Sequence, residues 1–427
     1  MIIQNFKQLA TGTEKKLTLD IIEKGLSGAL PYNALEKVVK QDFLQVGQKK
    51  MSVKKYHRVY VVAVGKAADS MTKAVNLLTR VHGGIVVIPD NTPSLIRTRK
   101  FTVIQSGHPI PTKKSVIAAR RVIDFLKSLE TTDLVVFLIS GGASSLLSLP
   151  DGISLKDKQL VTDLLLKSGA NIPEINCVRK HLSKIKGGRL VESLRCTAVS
   201  FVMSDVVGND LSVIASGMTY CDRSTFSDAK RTLLKYGLKN RTPKSVWNRI
   251  ILGTTCIIPE TPKKPKIYNC IISTNKNCVD LMRIHAQKLG FATKMIYPIE
   301  GDVKDAASKI SRHFFGGSHS CLIFGGETTV TVQGKGKGGR NQELVLHLLK
   351  KLKDRKENLV IASIGTDGID GNTNAAGAIA DSTMLSTTVD QYLHKNNAYC
   401  YFENYGGLIF TGPTHTNLMD VGLILQQ

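Results

Sequence analysis

The sequence predicts an α/β protein of two domains, each with helices on both faces of a central sheet. Apolar runs of strand length alternate with segments of helical period, which is the pattern of parallel α/β architecture. The runs are apolar along their whole length, as expected for strands that helices cover on both faces. The length of 427 residues fits two or three domains, each large enough to bury a core.

The first half of the chain carries five apolar runs separated by helical patterns. We expect strands at 59–64, 85–89, 101–106, 134–140 and 197–204, and helices at 73–80, 115–129, 155–168 and 173–184. Three prolines within residues 259–265 then exclude both a helix and a central strand. We therefore predict an N-terminal domain over residues 1–258, a linker over 259–266 and a C-terminal domain over 267–427.

The second half repeats the alternation. We expect strands at 268–273, 293–297, 321–325, 329–333, 359–365 and near 408–411, and helices at 277–289, 303–314 and 341–351. The same reasoning therefore predicts a second α/β domain.

The composition excludes several classes of protein. Apolar residues make up 42% and charged residues 22%, which is typical of a soluble globular protein. No apolar run approaches the ~18–20 residues that span a bilayer, so we expect no membrane association. The eight cysteines lack metal-site spacing and predict reduced thiols of a cytoplasmic protein. Residues 1–16 do not resemble a secretory signal, and mitochondrial import is left open.

The net charge of +24, from 58 Lys and Arg against 34 Asp and Glu, is unusually high. It comes as short lysine pairs in polar stretches, without an arginine-rich block or a basic stripe interleaved with aromatic residues. This pattern favours a lysine-rich solvated surface. A basic nucleic-acid-binding protein remains the non-enzyme alternative, and an anionic substrate would also suit the charge.

Glycine-containing loops directly follow predicted strands, where open α/β sheets bind ligands. In the first loop, Gly65 and Lys66 lead into a helix, and a lysine at a helix N-terminus suits a phosphate or a carboxylate. It is not a Walker P-loop, because Ala67 stands where Ser or Thr is needed. The second loop offers small residues and hydroxyl donors for a polyphosphate; its members are Gly141, Gly142, Ala143, Ser144 and Ser145.

Two further loops carry carboxylates and cations. Asp205 follows the strand at 197–204 and is a candidate general base or magnesium ligand. Glycines at 334–339 alternate with lysines and lead to Arg340, whose planar guanidinium suits phosphate or carboxylate. So many glycines predict an anion-gripping loop. Downstream, Asp367 and Asp370 could hold magnesium or form ordinary Asp-Gly turns.

These parts together describe phosphoryl transfer. Lys66 and Arg340 supply cations, the small-residue loops supply backbone donors, and Asp205 supplies a carboxylate. The sequence has no GxGxxG after the first strand, which argues against a nicotinamide enzyme. It also has no GxSxG nucleophile elbow.

Ten motifs occur in order across nearly the whole chain, at 64–68, 106–111, 140–145, 178–190, 204–208, 212–217, 325–330, 338–343, 365–371 and 411–417. In this order they resemble the type II glycerate kinases, the family with a C-terminal MOFRL domain. The resemblance implies two three-layer α/β/α domains, with an active site in the cleft between them. The N-terminal domain would be Rossmann-like with a mostly parallel sheet, and the C-terminal domain MOFRL-type with a mixed sheet.

The resemblance also implies ATP- and magnesium-dependent phosphorylation of D-glycerate, with 2-phosphoglycerate as the favoured product. A hydroxypyruvate reductase is the enzyme alternative, because some relatives carry that label. No specific nucleic acid is implied as a partner, and a homodimer is left open.

The family's functional residues map onto this chain at matching motif positions. Lys66, Asp205 and Arg340 match its catalytic residues, and residues 141–145 match its nucleotide-binding loop. Substrate or phosphate binding is assigned to Glu327, Lys337, Gly339 and Asn341, and metal binding to Asp367. The chain departs from the family pattern at Asn209, Asn372, Asn374 and His415, where two carboxylates are lost. Since the catalytic residues remain, we expect activity, and we expect Lys66→Ala and Arg340→Ala to lose turnover at near-normal folding.

Overall fold

Two six-stranded sheets organise the chain, as the alternating apolar runs predict. The computed structural model describes residues 1–90, 92–353 and 359–427. The strands are β1 (Phe43–Val46), β2 (Lys49–Ser52), β3 (Val59–Val64), β4 (Gly83–Pro89), β5 (Phe101–Ser106), β6 (Leu134–Ile139), β7 (Thr197–Ser204), β8 (Tyr268–Thr274), β9 (Ala292–Asp302), β10 (Ser320–Thr329), β11 (Leu359–Gly365), β12 (Gly377–Asp381), β13 (Leu408–Ile409) and β14 (Asp420–Gln426).

Helices separate most of these strands. They are α1 (Phe6–Leu9), α2 (Thr13–Ala29), α3 (Pro31–Leu35), α4 (Ala68–Leu78), α5 (Lys113–Lys127), α6 (Ala143–Leu146), α7 (Leu155–Lys167), α8 (Ile172–His181), α9 (Phe226–Lys235), α10 (Lys244–Thr254), α11 (Asn275–Lys288), α12 (Val303–His313), α13 (Arg340–Lys351), α14 (Val389–His394) and α15 (Ala398–Tyr405). Within the described ranges, none of these helices is long and apolar enough to cross a membrane.

The first sheet has the order β5-β4-β3-β6-β7-β8. The pairs from β5 to β7 are all parallel. From β3, the chain adds β4 and β5 on one side and then crosses over to add β6 and β7 on the other side. The switch point therefore lies between β3 and β6, and open α/β sheets bind ligands at such a point, beyond the carboxyl ends of the strands. Val64 pairs with Ile139 there, so the loops after β3 and β6 begin side by side.

The second sheet has the order β13-β12-β11-β14-β10-β9 and is mixed. Only β9 and β10 are parallel, and the central strand β14 is antiparallel to both β10 and β11. The predicted fold class of a mostly parallel and a mixed α/β sheet is confirmed. The strand predicted at 329–333 does not form, because the backbone N–H groups of Gln333 and Gly334 donate to the Asn396 side chain instead of to a neighbouring strand.

The chain divides into two compact units, Leu35–Ile272 and a second unit that joins Met1–Ala34 to Ser273–Gln427. This division differs from the predicted domain boundaries in two places. The passage between the units falls inside β8 and not in the segment 259–266. The N-terminal 34 residues also belong with the C-terminal unit, although their sequence position suggests the opposite.

The N-terminal segment joins the C-terminal unit through close helix packing. A Cβ on Gly25 would lie 2.6 Å from Met282 Cγ, so α2 approaches α11 at a distance that only a small residue allows. The Thr416 hydroxyl donates to the carbonyl of Ala29 at 2.7 Å. Asn5 adds a side-chain bond from the Phe410 N–H, 3.0 Å long.

Candidate functional site

The loops after β3 and β6 are held together as one structure at the switch point. The Lys66 N–H donates to the Gly141 carbonyl at 2.8 Å, and the Ala67 N–H donates to Ser140 Oγ at 3.0 Å. Gly65 has φ +133°, and a Cβ there would lie 2.1 Å from Ser140 Oγ. Only glycine therefore fits at position 65, and its presence lets the lysine loop rest against the glycine-serine loop.

The Lys66 side chain lies over this second loop, beside His108, a residue that was not predicted as part of the site. A Cβ on Gly142 would lie 2.9 Å from His108 Cδ2 and 3.5 Å from Lys66 Cγ. Burial lowers the pKa of His108, and the positive charge of Lys66 lowers it further. His108 is therefore neutral at neutral pH and can stand beside a cation without repelling it. The motif at 106–111 was the available signal for this residue.

Ser144 is the polar centre of the glycine-serine loop. Its Oγ accepts from Arg179 Nη2 at 2.7 Å and from Lys186 Nζ at 2.9 Å. Because a hydroxyl has one proton and two lone pairs, Ser144 then donates to Ser216 Oγ at 2.8 Å. Ser216 in turn donates to Asn176 Oδ1 at 3.0 Å. The loop that was predicted to bind a nucleotide is therefore in direct contact with two basic side chains, Arg179 and Lys186.

Three basic side chains lie at this loop or close to it. Lys158 and Lys186 are 4% and 0% exposed, and Arg179 is half-buried. Among the residues that the structure describes, none of the three forms an ion pair within 4.0 Å. Burial is the main cause that lowers the pKa of each, and Arg179 lowers the pKa of both lysines further. We call Lys158, Arg179 and Lys186 the cation cluster.

The cluster should make stability depend on pH in a defined direction. Burial lowers the pKa of Lys158 to about 7, far below its value of ~10.4 in an unfolded chain. Between these two values the unfolded state binds more protons than the folded state, so the free energy of unfolding rises with pH. Below pH 7 the buried charge persists in the folded state, and its cost is largest there.

At pH 6 we expect the free energy of unfolding of Lys158→Met to exceed that of the wild type by about 1–4 kcal/mol. The variant should therefore unfold at a higher urea concentration. The advantage should shrink as the pH rises from 7 towards 10. Urea titrations at pH 6 and pH 9, in buffers without phosphate or sulfate, measure the difference. A Lys158→Met variant that is less stable than the wild type at pH 6 would contradict this expectation.

Asp205 lies at the end of the third neighbouring strand of the same edge. It directly follows β7, which pairs with β6 from Leu134↔Thr197 to Ile139↔Val202. Lys66, residues 140–145 and Asp205 thus follow three adjacent parallel strands. The sequence predicted that each follows a strand, and the structure adds that the strands are neighbours. Asn209, in the same loop, has φ +55°, a conformation that asparagine adopts more readily than most residues.

Arg340 lies in the other unit and is held by two carboxylates. Its Nε and Nη2 donate to the two oxygens of Asp420 at 2.6 and 3.0 Å, and Nη1 donates to Glu327 at 2.6 Å. Burial alone would lower the pKa of Arg340, but Asp420 and Glu327 raise it, so the guanidinium is always charged. In the described part of the chain, two of its five N–H groups have no partner and can bind a ligand. Asp420 was not predicted from the sequence, because its only signal is its position at the start of the apolar run 421–425.

The glycine loop at 334–339 has a structural explanation that differs from the predicted anion grip. A Cβ on Gly334 would lie 2.2 Å from the carbonyl oxygen of Lys395, so the loop packs against another backbone segment. Its N–H groups are also in use: Lys337 donates to Asn397 Oδ1 at 2.9 Å, and Gly338 donates to Asn372 Oδ1 at 3.1 Å. The loop backbone is therefore not an open cradle for anions.

The N-terminus of α13 is occupied in the same way. Asp370 is 1% exposed, and its carboxylate accepts the N–H groups of Asn341 and Gln342 at 3.0 and 2.9 Å. The Asn341 side chain is buried and bonded to Asp370 and Ser363. Asp370 thus caps the N-terminus of α13. The sequence left open whether Asp370 holds magnesium or forms an Asp-Gly turn, and these contacts favour a structural role.

The four residues assigned to substrate or phosphate binding have separate positions. Glu327 binds Arg340, as described, and Asn341 is enclosed. Gly339 is covered by Asp370, because a Cβ there would lie 2.3 Å from Asp370 Cγ. Lys337 lies over the Tyr399 ring, with its Nζ 3.7 Å from the centroid. Lys337 and Glu327 are exposed and stay predicted ligand contacts. For Gly339 and Asn341 the contacts indicate a structural role.

Few carboxylates are placed to bind a magnesium ion, and Asp367 is the candidate among them. Asp367 is half-buried, and a Cβ on Gly365 would lie 3.2 Å from its Oδ1 and 3.5 Å from Asp420 Oδ1. Within the described part of the chain, no three His, Cys, Asp or Glu side chains gather as a metal site. Magnesium in phosphoryl-transfer sites usually takes one or two carboxylates together with substrate phosphates and water. The Asp367 carboxylate fits an ion of that kind.

Two family models match the chain. Residues 17–251 match a domain of unknown function (DUF4147), and residues 320–420 match the MOFRL family.

Full-length relatives have known names. The glycerate 2-kinase of Pyrococcus horikoshii is 40% identical, over 95% of this chain and 96% of the relative. The D-glycerate 2-kinase of Thermotoga maritima is 38% identical, over 96% and 98%. A solved structure of glycerate kinase from Thermotoga maritima superposes with a TM-score of 0.83 at 36% identity, covering 96% of this chain and 99% of that one.

Proposed function

The chain belongs to the type II glycerate kinase family, and we propose that it transfers the γ-phosphoryl group of ATP to the 2-hydroxyl of D-glycerate. The observation that carries the proposal is the joining of the Lys66 loop and the glycine-serine loop at the switch point of the parallel sheet. Small residues, hydroxyls and a lysine converge there, as a phosphoryl donor requires. Full-length similarity to two glycerate 2-kinases supports the acceptor and its hydroxyl.

In the proposed reaction, the 2-hydroxyl oxygen of glycerate attacks the γ-phosphorus, and the bond from that phosphorus to the bridging oxygen of ADP breaks. Asp205 accepts the hydroxyl proton, because its carboxylate follows a strand end on the same edge as the phosphate loop. Lys66 and Arg340 stabilise the charge on the transferring group. Asp420 and Glu327 fix the guanidinium of Arg340, and among the described residues two of its N–H groups are left for phosphate oxygens.

The metal and the phosphate loop complete the proposal. Asp367 would hold magnesium, which in such reactions neutralises charge on the β- and γ-phosphate oxygens. The residues of 141–145 would contact the nucleotide, with Ser144 as the hydroxyl nearest to cations. Asn372 and Asn374 replace the usual family residues without leaving gaps, since Asn372 accepts from Gly338 and Asn374 accepts from the Tyr399 hydroxyl at 2.9 Å.

A direct assay tests this function. The purified chain is incubated with ATP, magnesium and D-glycerate, and the phosphorylated carbon is assigned by ³¹P and ¹³C NMR. We expect 2-phosphoglycerate and a stoichiometric amount of ADP. No phosphoglycerate, under conditions in which an authentic glycerate kinase is active, would refute the function. 3-Phosphoglycerate would refute the assignment to the 2-hydroxyl.

The two alternatives make different predictions. A hydroxypyruvate reductase would oxidise NADH or NADPH with hydroxypyruvate, and the sequence lacks the dinucleotide fingerprint. The similarity to glycerate 2-kinases at 38–40% identity does not favour it. A nucleic-acid-binding protein would bind duplex DNA tightly with a steep dependence on salt, and the matched family models give it no support.

A further inference from the structure

We propose that the cation cluster, through Arg179 and Ser144, is a binding site for a polyphosphate. That this polyphosphate belongs to the nucleotide rests on the proposed function. The site itself rests on the arrangement of Lys158, Arg179 and Lys186 around the glycine-serine loop.

Arg179 and Lys158 have more N–H groups than hydrogen-bond partners among the described residues. Arg179 has five N–H groups, and within the described residues its one hydrogen bond goes to Ser144 Oγ. The Lys158 ammonium, with three N–H groups, makes one long contact of 3.5 Å to Ser148 Oγ. The N–H groups of Arg179 that Ser144 does not use are therefore available to an acceptor, and a guanidinium suits the oxygens of a phosphate. Arg179 is half-buried and Ser144 is half-buried, so both can meet a ligand from solvent.

The positive charges of the cluster have no carboxylate partner in the described ranges. Buried cations are ordinarily paired with a carboxylate, as Lys180 is with Asp222 at 3.2 Å in the same unit. Arg179 instead lowers the pKa of both lysines, and Lys158 lowers that of Lys186 further. None of the three forms an ion pair with a carboxylate among the residues that the structure describes. A single carboxylate, such as that of glycerate, would offset one of these charges. A polyphosphate carries several negative charges and would offset the cluster as a whole.

The three side chains of the cluster have different roles. Lys186 is fully buried and donates to both the carbonyl oxygen and the Oγ of Ser144, at 2.8 and 2.9 Å. It therefore positions the loop and adds positive potential, while Arg179 supplies the planar fork that suits phosphate oxygens. Lys158 adds charge from α7.

The backbone segment that contacts Ser144 has an unusual conformation. Ala215, Ser216 and Gly217 all have left-handed φ values, of 53°, 55° and 62°. Left-handed non-glycine residues are costly and persist mainly at functional sites. Ser216 is one of them, and its Oγ accepts the hydrogen bond that the Ser144 hydroxyl donates. The strained turn therefore fixes the hydroxyl on which Arg179 and Lys186 converge.

Ligand-induced thermal shifts and calorimetry of the full chain test the proposal without turnover. The probes are sodium tripolyphosphate, ADP and D-glycerate, at constant ionic strength and without magnesium. The variant is Arg179→Gln, and the matched control is Arg195→Gln, which removes the same charge from an exposed arginine of the same unit. We expect Arg179→Gln to weaken tripolyphosphate and ADP binding at least tenfold, and Arg195→Gln to bind as the wild type does.

Lys158→Met separates a binding role from a structural one. We expect it to raise the melting temperature of the ligand-free protein and to reduce the upward shift that tripolyphosphate causes. A lower melting temperature with an unchanged tripolyphosphate shift would mean a purely structural cluster and would overturn the proposal.

The remaining outcomes are also decisive. Wild-type-like tripolyphosphate binding by Arg179→Gln overturns the site. Loss of D-glycerate binding alone in that variant assigns the cluster to a carboxylate and overturns the polyphosphate. Arg179-dependent tripolyphosphate binding supports the site even in a protein that makes no phosphoglycerate, in which case only the proposed kinase function fails.

Discussion

Lys66→Ala should lower kcat for glycerate phosphorylation by about 10²–10³-fold, with a much smaller change in the KM for either substrate. The reason is that an ammonium aimed at the transferring phosphoryl group interacts most strongly in the transition state, where charge develops. The backbone of Lys66 is already fixed by its bond to Gly141, so the side chain is pre-positioned. Steady-state kinetics with a coupled ADP assay measure the effect.

The control lies on α4, the helix that follows the Lys66 loop. Lys73 is exposed on α4, and Lys73→Ala removes the same side chain without touching the loop. It should keep wild-type kcat, and both variants should keep the wild-type melting temperature. A Lys66→Ala enzyme with unchanged kcat, or with an effect confined to KM, would remove Lys66 from the catalytic residues.

Much of the first sheet could be predicted because its strands are buried on both faces. The runs Val59–Val64, Phe101–Ser106 and Thr197–Ser204 form strands with the expected bounds. β12 and β14 were missed for different reasons. Gly377–Asp381 is short and made mostly of small residues, so it has no apolar signal. Asp420–Gln426 is apolar but occupies the centre of its sheet through long-range antiparallel pairing, which local patterns do not contain.

The domain boundary shows the same limit. Prolines at 259–265 exclude regular structure, but they do not decide which segments pack together. The assignment of Met1–Ala34 to the C-terminal unit depends on glycines of α2 that meet side chains of α11, about 250 residues later in the sequence. A contact of that separation leaves no periodicity in the sequence.

At the candidate site, strand-end loops were predictable and charge partners were not. Lys66 and Asp205 follow buried strands, and parallel topology alone brings such positions to one edge. The glycines at 334–339 misled the prediction, since a close backbone approach and an anion grip both select glycine. The buried cluster was also missed, because lysine and arginine are normally solvated. Part of the +24 charge is therefore not on the surface: Lys158 and Lys186 are buried.

Arg340 has an expected effect as large as that of Lys66, but the structure changes how it must be tested. Asp420 is 7% exposed, and Arg340 is its partner through two hydrogen bonds. Arg340→Ala would leave this carboxylate buried and unpaired. Removing one member of such a pair costs about 3–5 kcal/mol. The expectation of near-normal folding for Arg340→Ala is therefore replaced by a substantial loss of stability, visible as a lower melting temperature.

A double variant separates this loss of stability from catalysis. We expect Arg340→Met combined with Asp420→Asn to recover most of the stability, since neither charge is left buried, while kcat stays about 10³-fold below the wild type. Asp420→Asn alone keeps Arg340 but releases one side of its guanidinium, so kcat should fall less than in the double variant. Thermal unfolding and steady-state kinetics on the wild type, both single variants and the double variant provide both readouts. Recovery of kcat together with stability in the double variant would show that Arg340 holds the fold and does not act on the phosphoryl group.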